Sequence, residues 1–164
     1  MDKKELQLLK QAIINEIEGS EFYKLASEKN GISEEVKEAF IDLHNEEIKH
    51  IDWLKNLFDK IKNDKEDDFN LAMIEALPSP KLFSWDKLDR KSAALVVSVF
   101  GIAIQNEMAA VEFYKNAAAS TNIDKAKKLY EVLSKWEELH VEAFSKEYDN
   151  LLEEWWADQG FEPF

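Results

Sequence analysis

INEIEGSEFYKLAS, residues 14–27, is nearly repeated by QNEMAAVEFYKNAA, residues 105–118. Asn, Glu, Glu, Phe, Tyr, Lys and Ala return in the same order, displaced by 91 positions. In each copy a tyrosine follows a glutamate by seven residues: Glu16 and Tyr23 in the first, Glu107 and Tyr114 in the second. Seven residues are close to two turns of α-helix, so each pair shares one helical face.

A second correspondence lies downstream of each copy. Glu47-x-x-His50 sits 90 positions before Glu137-x-x-His140. The repeated unit is therefore a helical hairpin used twice, about residues 4–61 and 91–155. Helical periodicity runs from about Lys4 to Lys29, where Asn30-Gly31 supplies a stop, and from an N-cap at Ser33 to about Ile61. It resumes over 91–120, turns at Thr121-Asn122, and continues from about Ile123 to Trp155. The intervening 62–90 holds a charge run, NDKEDD, and the apolar, proline-containing FNLAMIEALPSPKLFSW; it reads as a long connection with one short helix. Short, long and short connections predict two antiparallel hairpins joined by a crossover, an all-α four-helix bundle forming one domain over 1–164.

Each predicted helix has an apolar inward row interrupted near its middle. The first reads Leu9, Ile13, Glu16, Ser20, Tyr23; the second Phe40, Leu43, Glu47, His50, Leu54. The third reads Phe100, Ile104, Glu107, Val111, Tyr114, and the fourth Leu133, Glu137, His140, Phe144. Positions i and i+3 share a face, so each glutamate points with its histidine. Four carboxylates and two imidazoles thus converge in an apolar interior. Four buried negative charges cost many kcal/mol unless neutralised. Two divalent cations cancel them with matched charge. One Glu from each of two helices and a Glu-x-x-His from each of the other two is also the ligand arrangement of di-iron and di-manganese carboxylate bundles. The competing reading is an old duplication whose site has decayed; against it, all six ligand types are present.

Composition narrows the classes. The net charge of −13 argues against a nucleic-acid or anionic-membrane partner. The absence of cysteine excludes disulfides, Cys-ligated zinc, iron–sulfur clusters and thiol nucleophiles in this chain. The amino end has no apolar stretch of signal-peptide length, and AALVVSVFGIAI (93–104) alone is too short to span a bilayer, so a cytoplasmic location is expected.

EIEGSEFYKLASE followed by EEIKH, and EMAAVEFYKNAA followed by EELH, resemble the rubrerythrin branch of the ferritin-like superfamily over both hairpins. The resemblance implies a ferritin-like bundle with two iron ions held by Glu16, Glu47, His50, Glu107, Glu137 and His140. Either Glu47 and Glu137 or Glu16 and Glu107 bridge, while His50 and His140 each cap one metal. Tyr23 and Tyr114 match residues that hydrogen-bond around the site. The implied activity is reduction of hydrogen peroxide or dioxygen. The chain departs from the pattern twice. It has no rubredoxin-type Cys₄ site, so a separate electron donor such as a rubredoxin-like protein is implied. The additional carboxylate of rubrerythrins, one turn beyond the third-helix glutamate, is Ala110 here, with Gly19 its counterpart.

Manganese or zinc would also suit the ligand set. A ferroxidase that handles iron, or a non-catalytic metal-stabilised binding protein, are the alternative functions. His44, with Ile41 three residues before it, reads as a surface or half-buried histidine. Glu46 and Glu138 turn about 100° from the ligand row and read as solvated or supporting residues; Glu21 and Glu112 read as surface charges. The carboxyl-terminal LLEEWWADQGFEPF and the 71–85 connection expose many apolar side chains, which favours a homodimer.

Overall fold

The computed structural model describes residues 2–74, 93–158 and 160. Four long helices carry the fold: α1 (Lys3–Ser27), α2 (Glu34–Lys62), α3 (Ala93–Ser120) and α4 (Asp124–Asp158). α1 packs along α2 and α3 along α4, the two expected hairpins, while α1 and α3 approach each other only briefly. The bundle is all-helical across the described residues, as the repeat predicts.

Local chemistry sets the ends. The Asp2 carboxylate caps α1 by accepting the backbone N–H groups of Lys4 and Glu5 at 3.0 and 3.1 Å. α1 stops at Ser27, short of the expected Lys29, because its last turn tightens: Glu28 N–H reaches Leu25 and Lys29 N–H reaches Ala26, both i→i−3. Gly31, at φ 84°, then makes the reversal toward Ser33, whose hydroxyl accepts Val36 N–H at 3.3 Å. At the end of α2, Lys65 N–H bonds the Lys60 carbonyl and Asp64 N–H that of Ile61, with Asp64 in the left-handed region at φ 52°. The charge run NDKEDD is thus partly a helix terminator.

In place of one short helix, the described part of the connection forms two single 3-10 turns, Glu66–Asp68 and Leu71–Met73. Between them Phe69 is buried, and Leu71 and Ile74 pack half-buried on the same core. Residues 75–92, including most of the apolar 71–85 stretch, and Phe161 and Phe164 of the tail lie outside the described residues. Trp155 and Trp156 are 37% and 41% exposed, their rings 4.9 Å apart edge to face.

Two apolar layers form the core. One gathers Leu6, Leu9, Leu54, Leu57, Leu129 and Leu133 with the stacked pair Tyr114 and Tyr130. The other gathers Val36, Phe40, Leu43, Phe100, Phe144 and Tyr23. Each fully buried side chain of this size stabilises by about 1.5–3 kcal/mol. Those two layers offset the polar layer that separates them.

α3 over Val96–Ser120 reaches a mean hydropathy of 1.3, so it is long and apolar enough to cross a membrane by length and composition. Gln105, Asn106 and Glu107 end the 93–104 run, and the valine and alanines beyond them belong to the same long helix. In the fold the same helix carries Glu107 and Tyr114 into the shared core, as a bundle helix does.

Candidate metal centre

Between the two apolar layers lie Glu16, Glu47, His50, Glu107, Glu137 and His140, each at most 5% exposed. Their ligating atoms fall into two groups, each within 4.8 Å internally: Glu16, Glu47, His50 and Glu137; and Glu47, Glu107, Glu137 and His140. Glu47 and Glu137 belong to both groups and Glu16 and Glu107 to one each. Of the two role assignments the sequence leaves open, this placement makes Glu47 and Glu137 the shared pair.

Both histidines turn Nδ1 toward the carboxylates. His50 Nδ1 lies 3.1 Å from Glu137, 3.2 Å from Glu47 and 3.4 Å from Glu16. His140 Nδ1 lies 3.1 Å from Glu137 and 3.5 Å from Glu107. Tyr23 donates its hydroxyl to Glu107, and Tyr114 to Glu16. These bonds cross the repeat, since each tyrosine serves the glutamate of the other hairpin rather than the one seven residues before it.

Burial dominates the electrostatics. It pushes Glu47 well above the usual carboxylate range, helped by the charges of Glu16 and Glu137. Burial, with Glu137 next to it, raises Glu107 from 4.5 to about 8. Glu137 goes the other way: burial opposes its charge, but hydrogen bonds from Glu107, His140 and His50 hold it well below 4.5. Burial also opposes charge on His50 and His140, and the surrounding carboxylates overcome it, so both stay protonated well above 6.5. Protons therefore do the neutralising in the metal-free chain. Glu47 Oε2 and Glu137 Oε1, both fully buried, converge on one ring nitrogen, His50 Nδ1, at 3.2 and 3.1 Å. Two buried carboxylate oxygens crowded on one ring nitrogen, within an oxygen-and-imidazole donor set, fit divalent cations such as iron, manganese or zinc.

A cavity of about 420 Å³ opens onto this layer between α1 and α3. Its lining repeats across the two hairpins: Asn15 with Asn106, Glu16 with Glu107, Gly19 with Ala110. A Cβ at Gly19 would stand 3.7 Å from the Glu47 carboxylate. Ala110, where the resemblance placed an additional carboxylate, and its repeat counterpart Gly19 are thus small residues that line this opening.

The neighbours of the ligand row divide. Glu138 is exposed and pairs with Lys115 at 2.5 Å; Glu21 and Glu112 are exposed. His44 is half-buried, its Nδ1 at 2.8 Å from the Ser20 carbonyl. Glu46 is not solvated: it is 9% exposed and accepts His140 Nε2–H at 2.6 Å. The sequence signal for it was the repeat itself, because the residue 90 positions on is Trp136. The sequence reading also passed over Glu5, buried and accepting the Tyr130 hydroxyl at 2.5 Å and the Thr121 hydroxyl at 2.6 Å.

A family model described as Rubrerythrin matches residues 7–148. The chain belongs to the rubrerythrin family. Among solved structures, a hypothetical protein from Pyrococcus furiosus is similar at 29% identity, with 92% of each chain covered and a TM-score of 0.67. Among curated proteins none matches the sequence significantly. Family and geometry agree on a rubrerythrin-type bundle whose carboxylate and imidazole cluster is compatible with a dinuclear site.

Proposed function

We propose that this rubrerythrin-family protein is a di-iron carboxylate oxidoreductase that reduces hydrogen peroxide or dioxygen. The observation that carries the reading is that Glu16, Glu47, Glu107 and Glu137, carboxylates from both ligand groups, line the α1–α3 cavity, which gives a small oxidant a way to both groups. Glu16 and His50 would hold one metal, Glu107 and His140 the other, with Glu47 and Glu137 shared. When bound, a ferrous pair supplies the two electrons that turn peroxide and two protons into two waters.

The chain's own residues do the rest. Tyr23 and Tyr114 keep their protons, their acidity suppressed by burial and by Glu107 and Glu16 respectively, so they act as fixed donors that orient those carboxylates. Gly19, Ala109 and Ala110 keep the cavity open by offering little side-chain volume. The apolar layers above and below close the cluster off along the bundle axis and leave the α1–α3 cavity as the approach. A rubredoxin-like donor would supply the reducing electrons, and the exposed Trp155 and Trp156 are candidates for a homodimer contact.

The test is anaerobic loading with Fe(II) followed by rapid mixing with peroxide. Oxidation of protein-bound iron faster than that of free ferrous ion is expected; oxidation no faster contradicts the proposal. One observation favours a second reading, ferroxidase action in iron handling: Glu18 adds a carboxylate to the cavity wall, which attracts an incoming cation. That reading predicts net uptake of iron beyond the two resident ions and a cage-sized particle on size-exclusion chromatography.

A further inference from the structure

The two hairpins match at every ligand but differ behind the histidines. His140 Nε2–H donates to Glu46 at 2.6 Å, so a carboxylate from the other hairpin fixes that ring and its tautomer. The residue corresponding to Glu46, 90 positions on, is Trp136, and it faces His50. The His50 ring lies 5.1 Å from the Trp136 ring and 5.4 Å from that of Trp53. Trp53 in turn corresponds to Ala143 in the second hairpin. Both His50 Nε2 and the Trp136 indole N–H are buried without a hydrogen-bond partner.

The difference bears on metal binding because Nδ1 is the atom both rings turn to the site. A metal on Nδ1 leaves the ring proton on Nε2. At His140 that proton already has an acceptor, which orients the ring and raises its basicity toward a cation. At His50 it would point into an apolar wall of two indoles. We propose that the two metal positions are inequivalent, the His140 position being the tighter because Glu46 holds its ring while Trp53 and Trp136 give His50 no acceptor. Glu46 is then a positioning residue. The inference rests on the dinuclear reading above and deepens it.

Titrating metal-free protein with Zn(II) against a chromophoric chelator, followed by NMR of the imidazole ring nitrogens, tests it. Repulsion between adjacent cations separates two binding steps even in a symmetric site, so the deciding readout is which ring is occupied first. At one equivalent of Zn(II), the His140 resonances are expected to move to the bound position while those of His50 stay. Glu46→Gln keeps a neutral acceptor but removes the charge; it should weaken the first step by roughly 10–100-fold and leave the second within a few-fold. It should also speed exchange of the His140 Nε2 proton. Equal filling of both rings, or His50 filling first, overturns the inference in the unaltered protein, whatever the variant's folding. Failure to bind Zn(II) at all would instead sink the dinuclear reading beneath it.

Discussion

Single residues here carry opposed demands. Glu47 is disfavoured in the metal-free fold, since burial and the nearby Glu16 and Glu137 raise its pKa, yet it belongs to both ligand groups. Glu47→Gln is therefore expected to raise the melting temperature of chelator-treated protein at pH 8 while lowering metal affinity; scanning calorimetry with and without metal reads both. The same conflict gives a pH dependence. Glu107 titrates at about 8 in the fold against an ordinary 4.5, so between those values the folded chain holds a proton the unfolded chain has lost. Its contribution is complete below 4.5 and lost as pH rises through 8, at a limiting slope of about 1.4 kcal/mol per pH unit. Glu47, His50 and His140 shift in the same upward direction. Glu137 has the reverse sign, protecting the fold above 4.5 and ceasing to as pH falls through its depressed value. Denaturant unfolding of metal-free protein from pH 5 to 8 should thus show falling stability. Metal affinity should rise over the same range, because binding displaces those protons. The ligand types at this scale were legible in the sequence, since a Glu-x-x-His occurring twice in register has few other readings. The crossed bonds of Tyr23 and Tyr114 were not, because helix periodicity gives a face and not the partner across the bundle.

At the scale of elements, the repeat told the fold. A hairpin with one polar layer in its inward row must meet a second such hairpin, and α1–α2 against α3–α4 does so. The element ends were less legible: Asp64 terminates α2 in a conformation that glycine usually takes, and nothing in NDKEDD marks it. Glu5 was missed for a similar reason, since its counterpart in the repeat is Val96 and a charged residue in a first turn ordinarily reads as dipole compensation. Its bonds to Tyr130 and Thr121 tie the start of α1 to α4 and to the α3–α4 turn. Glu5→Ala leaves both hydroxyls without that acceptor and is expected to cost about 2–4 kcal/mol, which is roughly 4–16 °C for a domain of this size, with metal stoichiometry unchanged. The α1–α3 opening makes a separate prediction. Gly19→Leu should fill the space toward Glu47 and slow oxidation of bound iron by peroxide, while metal affinity changes less than the rate; stopped-flow and metal titration separate the two.

Over the whole molecule, two apolar layers enclose a polar one, and the polar layer fits the fold only when its charges are cancelled. Metal-free protein does this with protons on Glu47, Glu107 and the histidines; two cations would do it without those protons, taking over the Glu47 and Glu137 oxygens that otherwise face His50 Nδ1. At a free metal concentration a hundredfold above the dissociation constant, each bound ion stabilises the fold by about 2.7 kcal/mol. Chelation should therefore lower the melting temperature, and restored metal should return it. The most direct measurement is anaerobic calorimetric titration of the metal-free chain with Fe(II), alongside a Glu16→Ala, Glu107→Ala variant. The account predicts two ions per chain with protons released into the buffer, and loss of that stoichiometry in the variant. One ion or none in the unaltered chain, or two that still bind when Glu16 and Glu107 are gone, would contradict it.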